Sequence, residues 1–314
     1  MSGPSAGVPY DEFAYFGDNA TEFGIAYDHP PLVRRAFVDV GPSRRISALV
    51  WGEAPPELVL IHGGAQNAHT WDTVALALRR PLVAVDLPGH GHSGPPSPGT
   101  GSARAESLAT DVGVAIDALA PDAAAVVGMS LGGLTAIALA ASRPELVRRL
   151  VLVDITPGVD RAKAKAITDF VRGPATFASF DDILARTIEH NPTRTEISLR
   201  RGILHNAEQL DDGAWRWRYR RFDDASSPDG FAGDDEIDST ARLWDAVGRI
   251  DVPVMLARGM LAQSVVDDAD EAELLRRLPA VRVIRFADAG HSVQGDMPVE
   301  LAAAIADFVD GGRH

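Results

Sequence analysis

The sequence predicts an α/β fold: a mostly parallel, twisted sheet with helices on both faces, interrupted by a helical lid insertion. Three observations carry that prediction. Apolar runs at 57–61, 82–86, 123–129 and 149–154 show no polar alternation, so both faces of these strands must be covered. Alanine-rich helical stretches at 104–119 and 131–142 lie between them, long enough to cross from one parallel strand to the next. The alternation stops near Gly158 and resumes only at 253–257, as expected for one sheet domain with an insertion.

Taken in order, residues 1–31 read as a loosely attached N-terminal leader. Phe13, Tyr15, Phe16 and Phe23 supply apolar surface for one short helix, closed by His29-Pro30-Pro31. Strand-like runs at 35–40 and 46–51 precede the run at 57–61. The core then spans 32–157 and 248–314, and 158–247 forms the lid. Past the lid come a strand at 253–257, a helix at 268–277, a strand at 281–286 and a terminal helix at 298–309.

With 44 acidic against 30 basic residues the formal net charge is −14, which opposes binding to nucleic acid or to anionic membrane surfaces. No apolar run approaches the roughly 18 residues of a membrane span. The start, MSGPSAGVPYDEF, lacks the basic and apolar regions of a signal peptide, so the expected location is cytoplasmic. Cysteine is absent, which excludes disulfides, thiolate metal sites and a cysteine nucleophile. The nine histidines show neither HxxxH nor HExxH spacing, so no metal site and no cofactor are expected. Nothing here bears on oligomeric state.

The chemistry concentrates where strands end. The run AAAVVGM leads directly into Gly128-Met129-Ser130-Leu131-Gly132-Gly133 and a helix, placing G-x-S-x-G at a strand-turn-helix junction. Such a turn exposes Ser130 as a nucleophile, and the helix N-terminus behind it offers N–H groups to a developing oxyanion. Strand 57–61 ends in His62-Gly63-Gly64, whose Gly64 N–H pairs with that of Leu131 as the expected oxyanion hole. Gly63 and Met129 are expected to border the substrate pocket, and Asn67 to cap the next helix. Asp288-Ala289-Gly290-His291-Ser292 follows the last strand and supplies His291 as the general base. His90 and His92, in Asp86-Leu87-Pro88-Gly89-His90-Gly91-His92-Ser93, read as residues that shape a loop.

In this order and spacing, HGG, DLPGHGHS, GMSLGG and GHS resemble the α/β-hydrolase superfamily over about 32–157 and 248–312. In that superfamily the triad acid most often follows the seventh strand, where this chain carries Ala262 and Gln263. Two candidates stand in its place. Asp154 ends the sixth strand, a position some members of the superfamily use, and a charge there needs a partner such as the His291 N–H. Asp267 is the runner-up, although Asp268-Ala269-Asp270-Glu271 has the spacing of a capping box.

HGGAQNAHTWDTV, AVDLPGHGHS, VVGMSLGGLTAI, LVLVDITP, GHSVQGD and SLRRGILHN further resemble actinobacterial, mycobacterial-type serine carboxylesterases. That resemblance implies hydrolysis of a small ester with a short to medium acyl chain, with the acid on the sixth strand. Lactonase or C–C bond hydrolase activity would use the same residues, and a non-catalytic ligand receptor is a further alternative. Epoxide hydrolase and dehalogenase chemistry would need an Asp where Ser130 stands. In the lid, Trp215-Arg216-Trp217-Arg218-Tyr219-Arg220-Arg221-Phe222 alternates with period two, so Trp215 and Trp217 are expected on one face, packed on the core or lining the acyl pocket.

Overall fold

Uninterrupted apolar runs become the centre of one sheet. The structure, a computed structural model, describes residues 10–97, 105–159, 162–219 and 234–311. Up to the insertion the elements are α1 (Phe16–Glu22), β1 (Val33–Gly41), β2 (Arg44–Trp51), β3 (Leu58–Ile61), α2 (Asp72–Leu78), β4 (Leu82–Asp86), α3 (Ala105–Leu119), β5 (Ala125–Met129), α4 (Leu131–Ser142) and β6 (Leu150–Val153). The insertion holds α5 (Lys165–Val171), β7 (Thr176–Phe177), α6 (Phe180–His190), α7 (Glu196–Asn206), β8 (Ala207–Gln209) and β9 (Trp215–Trp217). Then follow α8 (Asp234–Val247), β10 (Val254–Gly259), α9 (Asp268–Arg277), β11 (Arg282–Phe286), α10 (Val293–Asp296) and α11 (Pro298–Asp310).

The central sheet has the order β1-β2-β4-β3-β5-β6-β10-β11. β2 pairs antiparallel with β1 and β4, and every pairing from β4 through β11 is parallel. Every residue of β3, β4, β5 and β6 is buried, the physical reason their sequences lack alternation. One face packs against α3, α4 and α8, the other against α1, α2 and α11. No helix among the described residues is long and apolar enough to cross a membrane.

Three features differ from the sequence expectation. The described part of the leader, residues 10–31, is docked, not loose: Phe16 is buried in the second core, 4.9 Å from Trp51 between ring centroids, and Glu12 is paired with Arg35, while residues 1–9 lie outside the described residues. The lid is not wholly helical, because β7, β9 and β8 form a small antiparallel sheet. α8, expected within the lid, buries Leu243, Trp244 and Val247 in the main core beside α4, so structurally it belongs to the sheet domain. In the aromatic-basic run, Trp215, Trp217 and Tyr219 are buried and Arg216 is exposed, as period two demands; Arg220, Arg221 and Phe222 lie outside the described residues.

Candidate active site

The groups singled out from the sequence all leave the same edge of the parallel strands, where open α/β sheets bind ligands. Ser130 follows β5 with φ 50° and ψ −120°, a conformation that costs an L-residue about 1–3 kcal/mol and persists only where its surroundings enforce it. The neighbouring glycines make this turn possible. A Cβ on Gly128 would overlap the Gly132 carbonyl, and one on Gly132 would overlap the Ile61 carbonyl at the end of β3. Ser130 therefore stands beside the His62–Gly64 loop. The N–H groups of Gly64 and Leu131 donate to nothing among the described residues, the state required of oxyanion donors before substrate arrives.

Asp154 follows β6, also left-handed at φ 47°, and is fully buried. Four donors surround its carboxylate. Oδ1 accepts from Gly259 N–H at 2.9 Å and Ser264 Oγ–H at 2.6 Å. Oδ2 accepts from Val265 N–H at 3.1 Å and from His291 Nδ1 at 2.9 Å. Because a carboxylate only accepts, His291 donates through Nδ1, and in a neutral ring that places the lone pair on Nε2. Ser130 and His291 line one cavity of about 800 Å³, with no hydrogen bond between them in this structure. Such contacts are often long until substrate is bound.

The loop after β10, where the sequence lacks the usual acid, thus supplies donors instead of a carboxylate. Sequence reasoning missed Ser264; a serine two residues past Ala262 carries no signal until the loop folds over Asp154. Asp267 is engaged elsewhere. It caps α9, accepting from Asp270 N–H at 2.9 Å, and pairs with Lys163 at 2.9 Å. The Asp270 N–H foremost, with Lys163, holds its pKa down to about 2. The capping box is therefore Asp267 with Asp270, one residue earlier than the sequence suggested.

The remaining loops brace this arrangement. Leu87 N–H donates to His62 Nε2 at 2.9 Å, and Ala65 N–H donates to His90 Nε2 at 3.1 Å, so both rings act as neutral acceptors. Burial lowers both pKa values, that of His62 to about 3. Asn67 accepts from His69 N–H and donates to the His205 carbonyl, so it caps the turn leading to α2 and also ties it to the lid. Gly63, Gly64, Met129 and Trp217 line the cavity with Ser130. Trp215 does not; it packs inside the lid, 5.1 Å from Phe180 between centroids.

A separate buried cluster gathers His69, Asp72 and His205, with one potential ligand atom each within 4.8 Å, although no metal spacing was visible in sequence. His69 has an acceptor on each nitrogen, Asp72 at 2.8 Å and Glu12 at 3.2 Å. Burial opposes the imidazolium, but these two carboxylates outweigh it and push its pKa up to about 9. Both His69 nitrogens then carry protons, which suits an ion-pair network and not a metal ligand.

A left-handed serine at a strand-helix elbow, free N–H donors beside it and a carboxylate-oriented imidazole define the class of α/β serine hydrolases. A family model described as the alpha/beta hydrolase fold matches residues 56–298, and the chain belongs to that family. It is similar to esterase Rv0045c of Mycobacterium tuberculosis, 42% identical over 96% of both chains. The crystal structure of that esterase superposes with a TM-score of 0.81 at 40% identity, covering 96% of this chain and 99% of the other. A pimeloyl-[acyl-carrier protein] methyl ester esterase of Nitrosomonas europaea is 31% identical over 80% of this chain and 94% of its own.

Proposed function

We propose that the protein is a serine carboxylesterase that cleaves small esters of short to medium acyl chains through an acyl-enzyme, with Ser130, His291 and Asp154 as its triad. The observation that carries this reading is the Asp154–His291 hydrogen bond at 2.9 Å, in the cavity that also presents Ser130. His291 Nε2 takes the proton of Ser130 Oγ as the oxygen attacks the ester carbonyl. The developing oxyanion is held by the N–H groups of Gly64 and Leu131, each worth roughly 10²–10³ in rate. His291 then protonates the departing alcohol, and water repeats the sequence on the acyl-enzyme. Asp154 keeps its charge and stabilises the imidazolium; no cofactor is needed.

The esterase names of two relatives at 42% and 31% identity support ester hydrolysis over C–C bond cleavage. The cytoplasmic location belongs to this proposal and is read out by cell fractionation. The test is hydrolysis of p-nitrophenyl butyrate together with labelling by a fluorophosphonate probe. Both should be present in the wild type and absent in Ser130→Ala. Tight ligand binding without turnover or labelling would make the protein a receptor.

A further inference from the structure

The cavity carries an arginine that the ester chemistry above does not use. Arg194 lies in the turn between α6 and α7 and lines the same cavity as Ser130 and His291. Its guanidinium rests against α10, four residues past His291: a Cβ on Gly295 would overlap Arg194 Nη1. The glycine thus leaves open the volume that the charged head occupies.

Arg194 is charge-unbalanced in a way its neighbours are not. Lys163 is paired with Asp270, Lys165 with Asp169 and Arg201 with Glu22. Arg194 has no carboxylate within ion-pairing distance among the described residues, and its one side-chain partner is the Ser198 hydroxyl. The two acids whose charge acts on it are committed elsewhere. Asp296 accepts from Gly290 N–H at 2.9 Å and from Thr193 Oγ–H at 3.0 Å, while Glu22 serves Arg201 and Thr195. Burial therefore dominates and lowers the Arg194 pKa, although Asp296 and Glu22 act against it. Beside it Arg201, also lining the cavity, is 6% exposed and has a buried Nη1 with no partner.

A partly buried guanidinium without a counter-ion is suited to an anion, because its planar fork fits a carboxylate through two parallel hydrogen bonds. The net charge of −14 does not prevent this, since charges beyond roughly 8 Å are screened at physiological salt. We propose that Arg194, backed by Arg201, forms a carboxylate subsite, so that the preferred substrate is an ester carrying a free carboxylate on its acyl or its alcohol part. The inference rests on the esterase reading above and names its substrate class.

Matched ester pairs test it. The acyl arm compares p-nitrophenyl hydrogen glutarate with p-nitrophenyl valerate. The alcohol arm compares 4-butyryloxybenzoate with its methyl ester. The wild type should favour the anionic member in one arm, which also tells the side of the scissile bond on which the subsite lies. Arg194→Met should lower that anionic-to-neutral ratio of kcat/KM about 10- to 100-fold, mainly through KM, and Arg194→Lys should restore part of it. Calorimetric binding of monomethyl glutarate to Ser130→Ala protein should weaken at least tenfold when Arg194→Met is added. That binding reads the subsite without turnover, so it separates failure of the subsite from failure of the esterase reading. Equal rates on both members of both pairs, or an equal loss on both in Arg194→Met, would overturn the subsite and leave Arg194 a lid-packing residue.

Discussion

Two buried carboxylates on the same edge of the sheet show how differently one chemical group is used. Asp86, at the end of β4, is fully buried and meets Arg35 Nη1 at 2.8 Å, Ala68 N–H at 2.8 Å and His92 N–H at 3.1 Å. Burial opposes its charge, but the Arg35 guanidinium outweighs that and draws its pKa down. Asp154, equally buried, is surrounded by two N–H groups, one hydroxyl and one imidazole, with no permanent cation on it. Asp86 is neutralised for good and anchors the loop that carries His90 and His92. Asp154 is held by neutral donors alone, the setting that the proposed triad asks of a carboxylate facing His291. A permanent cation makes a buried carboxylate structural, whereas neutral donors leave it able to support catalysis.

The sharpest way to break this contrast is Asp154→Asn, which should lower kcat on p-nitrophenyl butyrate about 10⁴-fold by presenting the wrong partner to His291. Asp267→Asn should stay within about twofold, losing only part of a helix cap worth about 1 kcal/mol. Reversal of these two results would move the acid to Asp267. The counterpart at the other carboxylate is Asp86→Asn, which leaves Arg35 with Glu12 as its remaining carboxylate and should cost about 1–3 kcal/mol in urea-measured stability. Its activity per folded molecule should fall less than tenfold; a catalytic loss as deep as that of Asp154→Asn would erase the distinction.

Smaller effects refine it. His69, raised to about 9 by Asp72 and Glu12 against its burial, stabilises the fold through its bound proton. That contribution is complete below the unfolded value of about 6.5 and is lost as pH rises through 9. The stability gap between wild type and His69→Gln, of order 2 kcal/mol at pH 6, should therefore close by pH 9.5. Burial depresses His62, which acts with the opposite sign below pH 6.5 but cancels in this difference; His205 is depressed by burial and then by His69 itself, so losing His69 relieves His205 and narrows the gap only below pH 6.5. Ser264→Ala removes one of the four donors on Asp154 and should lower kcat about tenfold with KM unchanged. A KM effect alone would assign Ser264 to the pocket wall.

What was legible in the sequence was local or repetitive. The elbow at Ser130 shows itself because Gly128 and Gly132 must sit at fixed offsets where a strand meets a helix. β3 to β6 read correctly because burial on both faces removes alternation over four or five residues. Asp154 was legible as a charge ending an apolar strand, at a position some members of the superfamily use, and its partner could be named because the histidine loop follows the last strand. What stayed hidden is non-local. The lid strands β7 to β9 have two or three residues each, too few for any period to register. The placement of α8 on the core depends on which face of α4 remains open, and the docking of Glu12 depends on Arg35 and His69 meeting across two elements. The carboxylate donors of Ser264 and the unpaired state of Arg194 depend on loops whose paths no short motif specifies.

The left-handed backbone at Ser130 carries an evolutionary implication. Glycine would adopt this conformation without the penalty, so Ser130→Gly should gain about 1 kcal/mol of stability while abolishing turnover. A duplicated gene released from selection for catalysis would then find loss of Ser130 thermodynamically downhill. Descendants of this scaffold that lost the serine would remain well folded, and their persistence would say nothing about retained enzymatic purpose.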